Sequence, residues 1–440
     1  MTVLTYALGV VLFVVGVAVS VGLHELGHLV PGKLFDVKVT QYFVGFGRTL
    51  WSRRRGETEY GVKAVPLGGY VKLVGMLPPG PETVIGQRSS DAPRTVRRSG
   101  TGIFSQLMSD ARAAEYDLVE PGDEDRLFYR LSWWKKVVVM ASGVMTNLVL
   151  AFLLFAVVFM GHGVPTATTT VEQVSRCVVA TTVGQDARPC TAADPLAPAS
   201  RAGIRPGDRI VSFNGRRIDD WRQLQRLIAD NQTGPAVIGV DRDGARLTLR
   251  TSTTVSTTTD AGRVTRRGFL GVVPASSYVR QGPGYVVSTM ASGTWQTVQA
   301  LAHLPVKLYH VGRAAVGLEK RSVDSPMSVV GAGRVAGELT SAHQVPVADR
   351  FFNVLLLLAG LNLFLAMFNL VPLPPLDGGP IATTLFEAAR RGIARLRHKP
   401  DPGFVDSAKL LPVTYVMAML ILVVSLVLVY ADIVAPVSLS

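Results

Sequence analysis

Cysteine is nearly absent from this chain. Its 440 residues contain two, Cys177 and Cys190, which excludes a disulfide-rich scaffold or a cysteine-rich metal cluster. Charge is also scarce: 18% of residues are Asp, Glu, Lys or Arg, against 48% hydrophobic, and mean hydropathy is +0.31. That balance argues against an ordinary soluble domain. No charged residue precedes Glu25. The first apolar run therefore lacks the basic start, and also the small-residue cleavage site, of a secretory signal, and reads as a retained helix. The net charge of +13 comes with no recognisable nucleic-acid-binding module, so it speaks of membrane topology rather than of DNA or RNA.

Four segments are long and apolar enough to span a bilayer: about Leu4–Leu23, Val137–Met160, Phe352–Val371 and Leu411–Tyr430. Basic residues crowd two connections. Lys33, Lys38, Arg48, Arg53, Arg54, Arg55, Lys63 and Lys72 follow the first span, with Lys135 and Lys136 abutting the second; Arg390, Arg391, Arg395, Arg397 and Lys399 separate the third from the fourth. The positive-inside rule puts those connections in the cytoplasm and both termini outside. The expected division is a first helix (1–30), a membrane-associated β region (31–76), a flexible cytoplasmic insertion (77–132), a second helix (133–160) and an extracytoplasmic β domain (165–275). A connector with an amphipathic helix near Thr294–Leu318 (276–350), a third helix (351–379), a basic connection (380–410) and a fourth helix (411–433) complete the chain. Alternation broken by Gly45-Phe46-Gly47, Arg55-Gly56-Glu57 and Gly68-Gly69 predicts short antiparallel strands across Val37–Met76. The Pro-, Gly-, Ser- and charge-rich stretch from Leu77 to about Asp125 reads as poorly ordered.

His24-Glu25-Leu26-Gly27-His28 closes the first apolar run. H-E-x-x-H on a helix stacks two imidazoles one turn apart, ready to share one Zn²⁺, and places the carboxylate as a general base toward water. The alternative, two core histidines, is weakened by the cost of burying two His and one Glu beside hydrocarbon without a task. A further ligand must arrive at the same depth. Asp377, in Pro372-Leu373-Pro374-Pro375-Leu376-Asp377-Gly378-Gly379, either caps a turn or ligates. Spans one and three run in the same direction, so their carboxyl ends meet, which favours ligation. Span two offers Gly143 for close helix approach and Asn147 as an amide donor; helix packing alone is the competing reading for both. Cys177 and Cys190 fall on the opposite side from this site and either pair or remain free thiols.

Ala202-Gly203-Ile204-Arg205-Pro206-Gly207-Asp208-Arg209-Ile210, followed by a helix near Trp221–Ala229 and strands at Ala236–Val240 and Ala245–Thr251, resembles a PDZ domain, a generic small β domain being the alternative. With that insert, the pentad, Gly45-Phe46-Gly47-Arg48-Thr49-Leu50-Trp51, Pro66-Leu67-Gly68-Gly69-Tyr70-Val71-Lys72, the Gly143-to-Asn147 run, Pro326 with Gly331, and Asn369-x-x-Pro372-x-x-x-x-Asp377-Gly378, the chain resembles the site-2 protease family of intramembrane zinc metalloproteases, in its bacterial RseP-like branch. Two departures are Val144 in place of a common Pro and one PDZ-like stretch where RseP has two.

The resemblance implies a polytopic α-helical membrane protein of about four transmembrane helices, with a membrane-apposed β-hairpin region and an extracytoplasmic PDZ-like domain. It implies one Zn²⁺ held by His24, His28 and Asp377, with Glu25 as catalytic base. Asn147, Asn369, Gly45, Phe46, Gly47 and Tyr70 become candidates for substrate or oxyanion contacts. The expected partners are the bilayer, single-span substrates such as anti-sigma factors in stress response, and an upstream site-1 protease, with no nucleic acid. The expected place is the bacterial inner membrane, with the active site near the cytoplasmic side. A silent PDZ scaffold is disfavoured by the complete pentad plus Asp377. A metal transporter is disfavoured because the polar residues cluster at one end of the spans.

Overall fold

The computed structural model describes residues 2–79, 103–179, 181–182, 190–191, 193–260, 263–322, 324–342 and 345–437. In chain order the elements begin with α1 (Thr2–Leu34), β1 (Val39–Arg55), β2 (Thr58–Leu73), α2 (Ile103–Tyr116) and α3 (Trp133–Ala156). There follow β3 (Val164–Val174), β4 (Thr181–Thr182), α4 (Pro198–Ala202), β5 (Arg209–Phe213), β6 (Arg216–Arg217), α5 (Trp221–Asn231), β7 (Pro235–Arg242), β8 (Ala245–Ser252), β9 (Thr254–Asp260), β10 (Arg263–Phe269) and β11 (Val272–Val279). The chain returns to helix in α6 (Pro283–Ala302), α7 (Leu304–Ala315), α8 (Val329–Ser341), α9 (Val347–Asn369), α10 (Gly378–Leu396) and α11 (Leu411–Val434). Two compact units result, Met1–Met160 with Gly282–Ser440, and Gly161–Gln281.

In the first unit, Val3–Leu34, Trp133–His162, Val347–Asn369 and Ser407–Val434 are long and apolar enough to cross a membrane. These match the four expected spans, with longer helices. α1 runs on through the pentad and past Pro31, and beyond Leu23 one of its faces is covered by protein: His24, His28 and Leu29 are buried, Leu29 packing with Val37, Val39, Leu73, Val139 and Met140. Up to Tyr430, α11 exposes large apolar side chains along its length, as a lipid-facing helix does.

The β region is more folded than a simple hairpin. Residues 39–44 of β1 pair with 69–73 on one side and with 59–62 on the other, and 59–62 pair in turn with 51–54. Two long strands thus double back into a four-stranded arrangement. The bends fall at Gly45, Gly47 and Gly68, all with positive φ.

Residues 103–132 correct the expectation of a poorly ordered insertion; residues 80–102 lie outside the described residues. The Glu115 carboxylate, on α2, accepts from the Gly75 and Met76 N–H groups at 2.7 and 3.0 Å. Buried Lys38 pairs with Asp123 at 2.5 Å, and Arg126 grips Glu57 through two bonds of 2.9 and 3.0 Å. Leu127, Phe128 and Tyr129 are buried. The stretch looks polar in sequence because its apolar residues are few, but its partners are strands distant in the chain. The single amphipathic helix expected at 294–318 is instead the end of α6 plus α7, broken at His303, where Pro305 stands in the first turn of α7.

At the far end of the third span, α10 is tied to α3 by a buried ion pair, Lys136 to Glu387 at 3.2 Å. In the last turn of α11, Asp432 accepts from Arg321 at 2.6 Å and from Ser328 N–H at 2.7 Å, which fixes α8 through its N-cap.

The second unit is a sheet of order β11-β3-β5-β7-β8, with β6 on β5, and a small sheet β10-β9-β4. α5 carries Leu224 and Ile228 into its core beside Ile210, Phe213 and Ile238. Asp220 caps α5 by accepting from Gln223 N–H at 2.7 Å. Asp243-Gly244, both at positive φ, form the tight turn between β7 and β8. Cys177 and Cys190 are joined by a disulfide.

Asp208, at the Gly-Asp turn, is 1% exposed and takes a two-pronged grip from Arg242 (2.7 and 2.8 Å). That guanidinium, outweighing burial and helped by the Arg205 N–H, holds the Asp208 carboxyl below the usual carboxylate range. A depressed folded-state pKa means the contribution to stability is complete above the unfolded value of about 3.9 and fades as pH falls through the folded value. In the full chain, Asp208→Asn should lower hydrogen-exchange protection of β5 and β7 near neutral pH. The gap to the parent should close in strong acid; a gap independent of pH would assign the effect to shape rather than charge.

Candidate metal centre

α1 puts His24 and His28 one turn apart on one face, with ring centroids 4.9 Å apart and both residues buried. His28 Nδ1 donates to the Val139 carbonyl on α3 at 2.8 Å. That bond fixes the tautomer and leaves the Nε2 lone pair facing inward. His28 Nε2 lies 3.3 Å from His24 Nε2, and Asp377 Oδ2 completes a triangle at 3.2 Å from His24 and 3.4 Å from His28. These are the described His, Cys, Asp and Glu side chains grouped closely enough to hold a metal ion. Nitrogen and oxygen ligands about 2.0–2.1 Å from a tetrahedral zinc stand about 3.3 Å apart. The spacing of the three donors therefore fits zinc, and their converging lone pairs would otherwise repel.

Asp377 reaches this point because α9 ends at Asn369 and the chain doubles back at once into α10. The reversal is tight: a Cβ on Gly378 would meet the Val371 carbonyl carbon at 2.6 Å, and one on Gly379 the Pro374 nitrogen at 2.9 Å. Asp377 occupies the N-cap position of α10, yet its side chain makes no capping hydrogen bond. The carboxylate is turned to the histidines instead. From the end of α9, Asn369 Nδ2 lies 3.4 Å from His24 Nε2.

Glu25 is half-buried and faces the β region. A Cβ on Gly69 would lie 2.9 Å from Glu25 Cγ, and the Tyr42 hydroxyl donates to the Gly22 carbonyl at 2.8 Å. The strand 69–73 is held against α1 at the pentad. Among the described residues it pairs on its inner side alone, with β1. Gly45 and Gly47 form the bend of β1, and Phe46 stacks on Tyr70, itself stacked on Phe43, at centroid distances of 6.4 and 5.7 Å. These four candidates thus belong to the bend of the β region, near Lys63, Val65 and Gly68, and not to the three donors. Asn147 is 1% exposed and its Oδ1 has no partner among the described residues; no hydrogen bond joins it to the triangle.

Sequence reasoning missed Val139, whose contribution is a backbone carbonyl available from any residue, and read Gly69 only as a strand break, whereas its absent side chain makes room for Glu25. Gly143 is the closest support. A Cβ there would lie 2.6 Å from His28 Cε1 and 2.9 Å from His24 Cε1, while one on Gly27 would lie 2.9 Å from Gly143 Cα. Gly143→Ala should therefore splay the imidazoles and weaken zinc binding by at least about tenfold, the range seen when groups supporting a metal ligand are lost. Chelator competition on the purified protein measures this; undiminished zinc affinity would refute the packing argument.

Comparison with known proteins agrees with the geometry. The family model for Peptidase family M50 matches residues 12–400. The chain is 32% identical over 458 aligned positions to the zinc metalloprotease Rip1 of Mycobacterium tuberculosis, covering 99% of each chain. It is 32% identical to Rip1 of Mycolicibacterium smegmatis over 98% of this chain and 99% of that one. To the metalloprotease MmpA of Caulobacter vibrioides it is 28% identical over 86% of each. With a family match along most of its length and full-length relatives of this kind, the chain belongs to peptidase family M50, the site-2 proteases, and is a zinc metalloprotease of the membrane.

Proposed function

We propose that His24, His28 and Asp377 hold the zinc and that Glu25 is the catalytic base. The observation that carries this reading is the triangle of three buried donor atoms, 3.2 to 3.4 Å apart, with a half-buried carboxylate on the same helix. Zinc in such a site supplies Lewis-acid polarisation of a carbonyl and lowers the pKa of water. Glu25 takes the proton from the attacking water and later delivers it to the leaving amine. His28, locked by Val139, keeps its Nε2 lone pair directed inward. Asn369 and Asn147 are the amides available to hydrogen-bond a substrate backbone.

The substrates we infer are single-span regulatory membrane proteins of the anti-sigma type, shortened beforehand by a site-1 protease, so that cleavage within the bilayer is the second step of regulated proteolysis. A helical substrate must be unwound before its carbonyl is accessible, and its freed backbone groups then need partners. The outer edge of residues 69–73, held against the pentad and paired with no further strand among the described residues, suits that need by adding the substrate as a further strand. Gly45, Phe46, Gly47 and Tyr70 shape the bend of that sheet. The PDZ-like unit would bind extended peptide. The basic connections favour a bacterial cell membrane location with both termini outside and the site toward the cytoplasm.

Glu25→Gln should retain zinc at the parent's stoichiometry and abolish cleavage, whereas Asp377→Ala should lose both. Metal analysis and a cleavage assay on each purified variant test the assignment. Residual full activity in the first, or undiminished zinc in the second, would overturn it. Comparing the membrane proteomes of cells carrying the parent and Glu25→Gln identifies the substrates that accumulate uncut.

A further inference from the structure

Two buried polar side chains in the apolar bundle face each other without belonging to the donor set. Ser20 lies on α1 one turn before His24 and is 3% exposed; Asn362 lies on α9, two turns before Asn369, and is 0% exposed. Asn362 Nδ2 donates to Ser20 Oγ at 3.0 Å and to the Leu358 carbonyl of its own helix at 2.8 Å. Ser20 Oγ donates to the Gly16 carbonyl of its own helix, also at 2.8 Å. Each group is thus anchored to its helix, and the bond between them links α1 to α9. The next polar contact along the same seam is Asn369 Nδ2 to His24 Nε2, at 3.4 Å.

Stability is a poor reason for this arrangement. Interhelical hydrogen bonds in membranes contribute modestly, and Asn362 Oδ1 is left without a partner among the described residues. Orientation is a better one. Apolar helix faces pack in several rotations, and a single buried amide can select one of them, as it selects register in coiled coils. The two imidazoles differ in how they are aimed. His28 is held from behind by the Val139 carbonyl, whereas His24 Nδ1 has no hydrogen-bond partner among the described residues. The direction of His24 is therefore set by the rotation of α1 itself, and the Ser20–Asn362 bond fixes that rotation one turn away.

We propose that Ser20 and Asn362 are positioning residues for His24, acting through α1 to keep its Nε2 within the donor triangle. The inference rests on His24 being a zinc ligand. It is tested with the full-length protein by measuring zinc affinity through chelator competition, alongside thermal unfolding. Ser20→Ala and Asn362→Leu should each weaken zinc binding about tenfold. The double variant should be no weaker than the worse single one, because both remove the same bond. Exchanging the pair, Ser20→Asn with Asn362→Ser, should restore affinity to within about threefold of the parent. Parental zinc affinity in Ser20→Ala, whatever happens to its unfolding temperature, would overturn the proposal, as would losses that add in the double variant. The Ser20 substitution is conservative enough to decide the matter even if the Asn362 variant fails to fold. His24→Ala separates the two layers of argument. If it abolishes zinc binding while Ser20→Ala does not weaken it, only the positioning role fails; if it leaves zinc binding unchanged, the ligand assignment fails and this inference with it.

Discussion

The approach of α1 to α3 governs the metal centre. A carboxylate and two imidazoles can be held in an apolar bundle only if their lone pairs share a cation and their remaining groups find partners. Both conditions require backbone close to the imidazoles. Gly27 and Gly143 leave no room for a Cβ at the crossing, and this closeness brings the Val139 carbonyl within 2.8 Å of His28 Nδ1. A bundle spaced by ordinary side chains at this crossing would leave His28 without that support.

The rest of the first unit serves the same geometry from other directions. The Lys136–Glu387 pair joins the first turn of α3 to the middle of α10, the helix that begins directly after Asp377. A buried ion pair contributes little net stability but is costly to break on one side, so it enforces arrangement more than it adds strength. On the opposite flank, the doubled-back strands bring a sheet edge to Glu25, and residues 103–132 brace that sheet through Lys38, Glu57 and Glu115. His24, Glu25 and His28 share α1, whereas Asp377 and the strand edge come from other segments, each fixed by its own contact.

Legibility in the sequence followed the range of the forces involved. The spans could be read because a helix facing lipid is apolar all round, and the pentad because its spacing is local. Asp377 required an argument about helix direction, and the structure supplies what that argument lacked: an N-cap carboxylate that does not cap. The Gly-Asp turn of the second unit was visible in Gly203, Gly207 and Asp208. What stayed hidden depends on partners far along the chain. Leu127, Phe128 and Tyr129 sit in a charged stretch and become core only against residues such as Val74 and Leu73. The doubling of β1 over β2 follows from glycine bends whose pairing alternation cannot show. Ser20 in its apolar run gives no sign that Asn362, on another span, will meet it.

The separation of Asp377 from the histidines has a consequence for biosynthesis. The pentad emerges early, whereas the third donor follows two spans and the whole inserted β unit. At about 5–20 residues per second, roughly 20–70 s of translation separate them. During that interval the nascent chain carries Glu25 and two imidazoles but cannot assemble the three-donor triangle. A chain stalled or truncated before the third span therefore lacks the third donor, and the triangle can form only once synthesis has passed Asp377.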